Sequence, residues 1–505
     1  MSVRTETRGL PPAAGTVGVL LAAIALGAAI MLAGKLAVYG LVGVLLFVLF
    51  TGYPVLGLYV TTALLLLSGS SGIIGFVNDE ATMAVTLAKL SGTAALLAWL
   101  ANLLLRKRRL ELNWPVLLIG GFVLWALLGS MLSKDASQTW AHWVRLLTLL
   151  GYFLLAVNTL NSPKNMHVFV VLVIVCGFIT AGAAVAQYFL PEYQVAGAEA
   201  WAQLGAVDAA YIDQESLQGE AAIRVSGRAG HSNWLAMIIL LVMPLNLYWF
   251  SSTGSRRLKA LILAGIGVEL MALILTYTRT GFVIGVVIGL LLLLKRFVRL
   301  TALRFFAFLF ALVVVWMLLP GAYKERVFSP AQYTGSKSVQ SRLQLQESAA
   351  RYLARNPITG LGVGGFGLSF VDENNDTAQT MDFMVRHMGW QPVFIGTHNM
   401  YLQVGADTGA VGLFIFLVFF ILMLRGVFLE EQRCRREGDA NGAALAGALF
   451  VSLVGFLLCA VFLHALQQKI WWMVAAPAVA FSLYHLRFKG GIGPLLPWTS
   501  EARPR

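Results

Sequence analysis

Residues 166–189 read MHVFVVLVIVCGFITAGAAVAQYF, a run of 24 positions without Asp, Glu, Lys or Arg. A helix that crosses a bilayer needs about 20 predominantly apolar residues, so this stretch decides the fold class. Runs of the same kind recur on both sides of it, near 16–33, 36–50, 54–68, 81–105, 112–132, 139–160, 232–251, 257–277, 279–295, 301–320, 400–426, 443–465 and 470–487. With 58% hydrophobic and 12% charged residues over 505 positions, the chain does not suit one water-soluble core. The fold expected is all-α, a polytopic membrane helix bundle with about 14 transmembrane helices and a large outward loop carrying short amphipathic helices.

Lys and Arg collect on short cytoplasmic loops. Here Arg106–Arg109, Arg256-Arg257-Lys259, Lys295 to Arg304, Arg433 to Arg436 and Arg487-Lys489 fall on alternate loops, which puts both termini in the cytoplasm. The net charge of +13 is then a topological signal plus attraction to anionic lipid, and no nucleic acid is implied. Cys176, Cys434 and Cys459 offer no disulfide framework in this topology. Two outward loops, about 190–231 and 321–399, are long enough to be functional. They divide the chain into 1–220 (N-terminal helices and first outward loop), 221–430 (a candidate catalytic region) and 431–505 (C-terminal helices and tail).

The chemistry-bearing residues sit at the ends of these loops. Arg224 to Ala236 is a basic, Gly-rich lead into a helix, with Arg228 inside it and Ser232 or Asn233 as the expected cap; exposed N–H groups at a helix start favour anions such as phosphate. Thr276 to Gly281 is a tight outward turn presenting Arg279, a five-donor fork suited to phosphate oxygens; a snorkelling interfacial anchor is the bland alternative. Ser341 to Arg355 reads as an amphipathic helix outside the bilayer that ends before Asn356-Pro357, and Gly360 to Gly367 suits close backbone packing. Asp372, Asn374 and Asp376 have calcium-loop spacing, but Thr377 and Phe383 break the pattern. Lys89, Arg145 and Glu269 are ionisable residues within spans, consistent with a shared outward-opening cavity or with structural ion pairs. Gly396 to Gln403 places the imidazole of His398, with Asn399 and Gln403, at the water–lipid boundary.

In this order, Arg224 to Ala236, Thr278-Arg279-Thr280-Gly281, Arg342 with Asn356 to Gly364, and His398 to Gln403 resemble the bacterial O-antigen ligase and O-antigen polymerase family, over roughly residues 220–430. The resemblance implies a glycosyltransferase without metal or cofactor, in the bacterial inner membrane with its active site facing the periplasm. Its donor would be a polyprenyl diphosphate-linked glycan, and its acceptor lipid A core, a growing polysaccharide or a protein. By the motifs, His398 would be the catalytic base, and Arg279 and Arg342 would hold the diphosphate, with Arg224 as a helper. Arg228, Arg145, Asn399 and Gln403 complete the candidate substrate contacts.

Residue chemistry agrees with this. Arginines stabilise the negative charge that builds on a departing diphosphate, and an imidazole with a reference pKa near 6.5 accepts the acceptor's proton at neutral pH. The expected reaction is inverting transfer of a glycan by a ligase; a polymerase of the same family is the alternative. From other classes, a lipid-linked glycan flippase would show two related halves, and a metal-dependent oligosaccharyltransferase would draw on Asp372, Asp376 and Asp382.

Overall fold

Polar caps between apolar runs decide where these helices start. The Asn113 and Ser162 side chains accept the N–H groups of Val116 and Asn165, each with a proline in the first helical turn, and Ser255 accepts from Leu258. The computed structural model describes residues 39–67, 87–105, 110–190, 225–229, 231–295, 337–373, 396–486 and 488, with Phe306, Phe310, Met317, Gly321 and Lys324. All regular elements among them are helical: α1 (Tyr39–Gly52), α2 (Pro54–Leu67), α3 (Leu87–Leu105), α4 (Trp114–Met131), α5 (Ala136–Thr159), α6 (Pro163–Phe189), α7 (Ser232–Ser252), α8 (Arg256–Leu275), α9 (Arg279–Leu294), α10 (Lys337–Arg355), α11 (Gly365–Glu373), α12 (Met400–Arg436), α13 (Ala440–Cys459) and α14 (Lys469–Tyr484). A 3-10 turn, Gly227–Ala229, precedes α7.

Eight of the described helices, α3 to α8, α12 and α13, are long and apolar enough to cross a membrane; α1, α2, α9 and α14 are shorter and apolar. They coincide with twelve of the expected spans. The spans expected near 16–33 and, isolated residues apart, near 301–320 lie outside the described residues.

The chain divides into two units, one of residues up to Thr61 with 76–109, the other of 62–75 with Leu110 onward. Within the first, Thr61 and Ser91 share a hydroxyl hydrogen bond of 3.0 Å and Asn102 donates to the Thr51 carbonyl at 2.9 Å. Within the second, α7 and α13 pack on each other and are the most enclosed of the eight long helices, and α12 packs on both α13 and α4. Its centre is an aromatic stack of Phe416, Phe420, Phe456, Trp471 and Trp472. Exposed Leu117, Leu124, Leu128, Leu261, Leu263, Val283, Val286 and Leu290 present the apolar outer faces of α4, α8 and α9, as lipid contact requires. The basic residues expected at the cytoplasmic side partly pair there: Glu431 takes Lys295 at 2.5 Å and Arg435 at 2.8 Å, and Glu430 takes Arg433 at 2.7 Å and His485.

Glu269 corrects one expectation. It is wholly enclosed between α8, α7 and α6, where Asn246 Nδ2 donates to it at 2.5 Å, so it lines no open cavity shared with Arg145.

The feature that positions the site is a break in α12. Gly409 has φ 70° and ψ −178°, so the helix is interrupted there. The N–H of Ala410 goes to the Pro357 carbonyl at 2.7 Å instead of its own helix. The carbonyls released by the break are all taken up: Ala406 by Leu361 N–H and Asp407 by Gly362 N–H, both at 2.9 Å, and Thr408 by Trp125 Nε1 at 2.9 Å. Irregular backbone in a membrane protein persists only when its polar groups are re-satisfied in this way. The Gly-rich stretch is therefore the partner of the broken helix, the close backbone packing that its glycines suit.

A Cβ at Gly409 would run into the Ile358 carbonyl, on a left-handed backbone. Gly409→Ala should cost more than the roughly 1–2 kcal/mol of that conformation alone, read as a lower thermal unfolding midpoint in detergent. Gly121→Ala, in open space within α4, should leave the midpoint unchanged or raise it.

Candidate active site

The loop 396–399 enters α12 through a tightly specified turn. Asn399 caps the helix, its Oδ1 accepting the N–H groups of Tyr401 and Leu402 at 3.0 and 3.1 Å. Thr397 N–H donates to Gln403 Oε1 at 2.9 Å, and Gln403 Nε2 donates to Asp407 Oδ2 at 3.0 Å. Asp407 is buried, and its oxygens also accept Gly364 N–H at 3.0 Å and Phe366 N–H at 3.1 Å. One carboxylate thus joins the Gly-rich stretch, α12 and the loop. Gln403, a candidate substrate contact in the sequence, has both ends of its amide engaged in holding this loop. Asn399 keeps its Nδ2 free of hydrogen bonds among the described residues.

His398 is the residue that this frame presents. Its φ is 52°, left-handed for a non-glycine residue; among the described residues only Tyr277 and His485 share that property. Tyr277 belongs to the turn that precedes Arg279. Strain of this kind, on the order of 1–3 kcal/mol, collects where surrounding structure fixes a functional conformation.

The ring of His398 meets that of His464 edge to face at 5.3 Å, and His464 meets Trp234 at 5.7 Å in the same manner. A Cβ on Gly396 would collide with the His464 ring, so glycine is required there for the approach. His398 Nδ1 is shut off from solvent without a hydrogen-bond partner among the described residues. Burial, and then the charges of His464, Arg342 and His231, hold the His398 imidazole well below the usual histidine range. The charge of Arg342, on α10, is among those felt at His398, which puts the two in the same region.

His231, not Ser232 or Asn233, caps α7: its Nδ1 accepts Asn233 N–H at 3.0 Å. Arg279 is the first residue of α9, partly buried at the end of the turn. Thr278, Thr280 and Gly281 of that turn line a crevice of about 10 Å³ with Asn233, Ala236, Cys459, Phe462 and Leu463. The segment 459–464 therefore meets the Arg279 turn on one side and His398 on the other, and Met400 N–H bonds the Ala460 carbonyl at 2.8 Å. Three stretches distant in sequence, with α10, come together at one end of the helices.

Arg145 sits apart from this group, exposed on α5, its Nη1 donating to Gln467 Oε1 at 3.4 Å. Arg224 lies outside the described residues, as does the side chain of Arg228. Of the acidic run at 372–376, Glu373 pairs with Arg355 at 2.6 Å and the residues after it are outside the described ones. Among the described residues no group of three or more His, Cys, Asp or Glu side chains could hold a metal ion. Asp407, His464 and Gln467 have no part in the sequence reading, and Trp234 enters it only as one position of the stretch Arg224 to Ala236; the role of each is recognisable only once its contacts are known.

Titration of histidine-labelled protein by NMR should place the His398 midpoint below 6.5. His464→Ala should move it upward, because one opposing charge is removed and water is admitted; an unperturbed His398 would contradict the buried setting.

Comparison with curated proteins returns no match. The family model described as O-antigen ligase matches residues 260–417, a shorter stretch than the resemblance drawn from the motifs, leaving 224–236 outside. This stretch contains the Arg279 turn, the Arg342 helix and the His398 loop, so the similarity to the O-antigen ligase family and the motif resemblance rest on the same region of the chain.

Proposed function

We propose that the chain is an inverting glycosyltransferase that moves a glycan from a polyprenyl diphosphate to an acceptor hydroxyl, with ligase as its reaction. The site faces the periplasm in an inner membrane, with both termini cytoplasmic. The observation that carries this reading is the His398 loop inside the matched stretch, its backbone held left-handed ahead of the Asn399 cap and its ring set against His464.

Arg279 and Arg342 hold the diphosphate, with Arg224 and Arg228 assisting and Arg145 and Asn399 in contact with substrate. The acceptor O–H gives its proton to His398 Nε2 as its oxygen bonds to the anomeric carbon from the face opposite the leaving group. The bond from that carbon to the diphosphate breaks, and the electron pair leaves with the polyprenyl diphosphate. Guanidinium groups stabilise that charge more in the transition state than before it, which is what lowers a barrier. Charge neutralisation by arginine gives the reaction a route without metal.

A buried, neutral imidazole suits the base: it enters the reaction already deprotonated at neutral pH. Transfer should persist as pH falls through 6.5 and decline only through the lowered pKa of His398. Stability follows the same sign. The folded ring resists a proton that the unfolded ring takes near 6.5, so stability is full above that pH and is lost below it, down to the folded pKa.

His398→Ala and Arg279→Ala should each lower transfer from a polyprenyl diphosphate glycan by about 10²-fold or more, with membrane insertion intact. Full transfer by both variants would remove the proposed site. Glycan analysis of a deletion strain separates the alternatives: accumulated lipid-linked polymer indicates a ligase, and single repeat units a polymerase.

A further inference from the structure

Arg145 poses a problem of charge. It lies on a membrane-crossing helix beside the outward-exposed Trp140, Val144 and Leu147. Among the described residues no carboxylate lies within ion-pairing distance of it; its hydrogen-bond partner is a neutral amide, Gln467 Oε1. A guanidinium stays protonated at any physiological pH and carries five donors. Leaving it against lipid without an anion is costly, and such residues mark binding sites by default.

The arginine is also held in place. Gln467 Nε2 donates to His142 Nδ1 at 3.1 Å, which fixes the amide so that its oxygen faces Arg145. The His142 ring in turn lies against Gly364, where a Cβ would come within 2.9 Å of it. Gly364, with φ 79°, is anchored through its N–H to Asp407. The chain from Asp407 through Gly364, His142 and Gln467 to Arg145 therefore starts from the carboxylate that also sets the His398 loop. Gln467 is three residues beyond His464 on the same connection between α13 and α14, so that connection serves both positions.

We infer that Arg145, Gln467 and His142 form a second anion position, taking the phosphate of a membrane-anchored substrate lipid and separate from the one served by Arg342 and His398. The inference rests on the transferase reading, in which two substrates are held at once and the second is lipid-anchored. Arg145 supplies the charge and donors at the lipid edge. Gln467 and His142 are positioning residues that keep the guanidinium at that edge.

The test uses the full chain in nanodiscs of zwitterionic phosphatidylcholine, with fluorescent farnesyl phosphate as probe. Wild type should bind two equivalents, Arg145→Gln one, and the Arg279→Ala, Arg342→Ala double variant the one at Arg145. At that remaining position Gln467→Ala should weaken binding severalfold, and loss of the Arg145 charge by about tenfold or more; Arg145→Lys should recover part of it. A thermal unfolding midpoint equal to wild type for Arg145→Gln separates lost binding from lost fold. Binding that does not change with Arg145→Gln overturns the inference. So does displacement of the Arg145-dependent probe by phosphatidylglycerol or by inorganic phosphate, which would assign the position to bulk headgroups or to free anion. Because this readout needs no turnover, it is independent of the transferase reading: transfer surviving His398→Ala would defeat that reading while leaving the binding result to stand or fall alone.

Discussion

The buried carboxylate of Asp407 carries the arrangement of this end of the protein. It accepts two backbone N–H groups from the Gly-rich stretch and the Gln403 amide, and Gln403 accepts the N–H of Thr397, next to His398. A carboxylate in this setting is held because three donors replace the water it lost. Asp407 lies two residues before the break at Gly409, whose released carbonyls bind the same Gly-rich stretch. Broken helix, glycine stretch and loop are thus one unit, and none of the three has its backbone satisfied without the others.

On that unit stands an imidazole with unusual constraints. His398 is left-handed in φ, enclosed at Nδ1, and faced by His464 and by the charge of Arg342. The enclosure and the two neighbouring groups push against the protonated form, while the backbone conformation fixes where the ring stands. A group poised as a base must be neutral when substrate arrives, and the neighbouring cation that opposes its protonation is the type of group that favours a phosphate nearby. The two requirements of glycosyl transfer from a diphosphate are therefore compatible within one small region. Tyr277, strained in the same sense, precedes Arg279, so both loops that present candidate residues are held in conformations that free chain rarely adopts.

Much of the fold was legible because membrane burial writes long signals: runs such as 166–189 survive in the structure as α6 with its boundaries shifted by a few residues. The amphipathic helix expected at 341–355 is α10, ending at the same asparagine–proline step. Motif order suggested a shared site for Arg342 and His398, and the Arg342 charge is one of those that lower the His398 imidazole. What was not legible depends on single contacts. Gln403 reads as a sugar contact from its spacing to His398, yet its amide completes a backbone turn. Asp407 lies in a segment whose hydropathy gives no hint of polar function, Gln467 reads as part of an ordinary polar break between two spans, and His464 falls at the end of a predicted span. Glu269 reads as cavity-lining from sequence depth alone, but Asn246 one helix away encloses it. Spacing reveals which residues share a face; it does not reveal which partner a polar group finds across the fold.

The account turns on the convergence of segments 278–281, 339–345, 396–403 and 459–467 around one bound lipid diphosphate. The direct measurement is photo-crosslinking of the intact protein with a diazirine-bearing polyprenyl diphosphate glycan, followed by peptide mapping. Label on these segments, competed away by unlabelled donor, is the predicted result. Label confined to the opposite end, around Lys295 and Arg435, would contradict it.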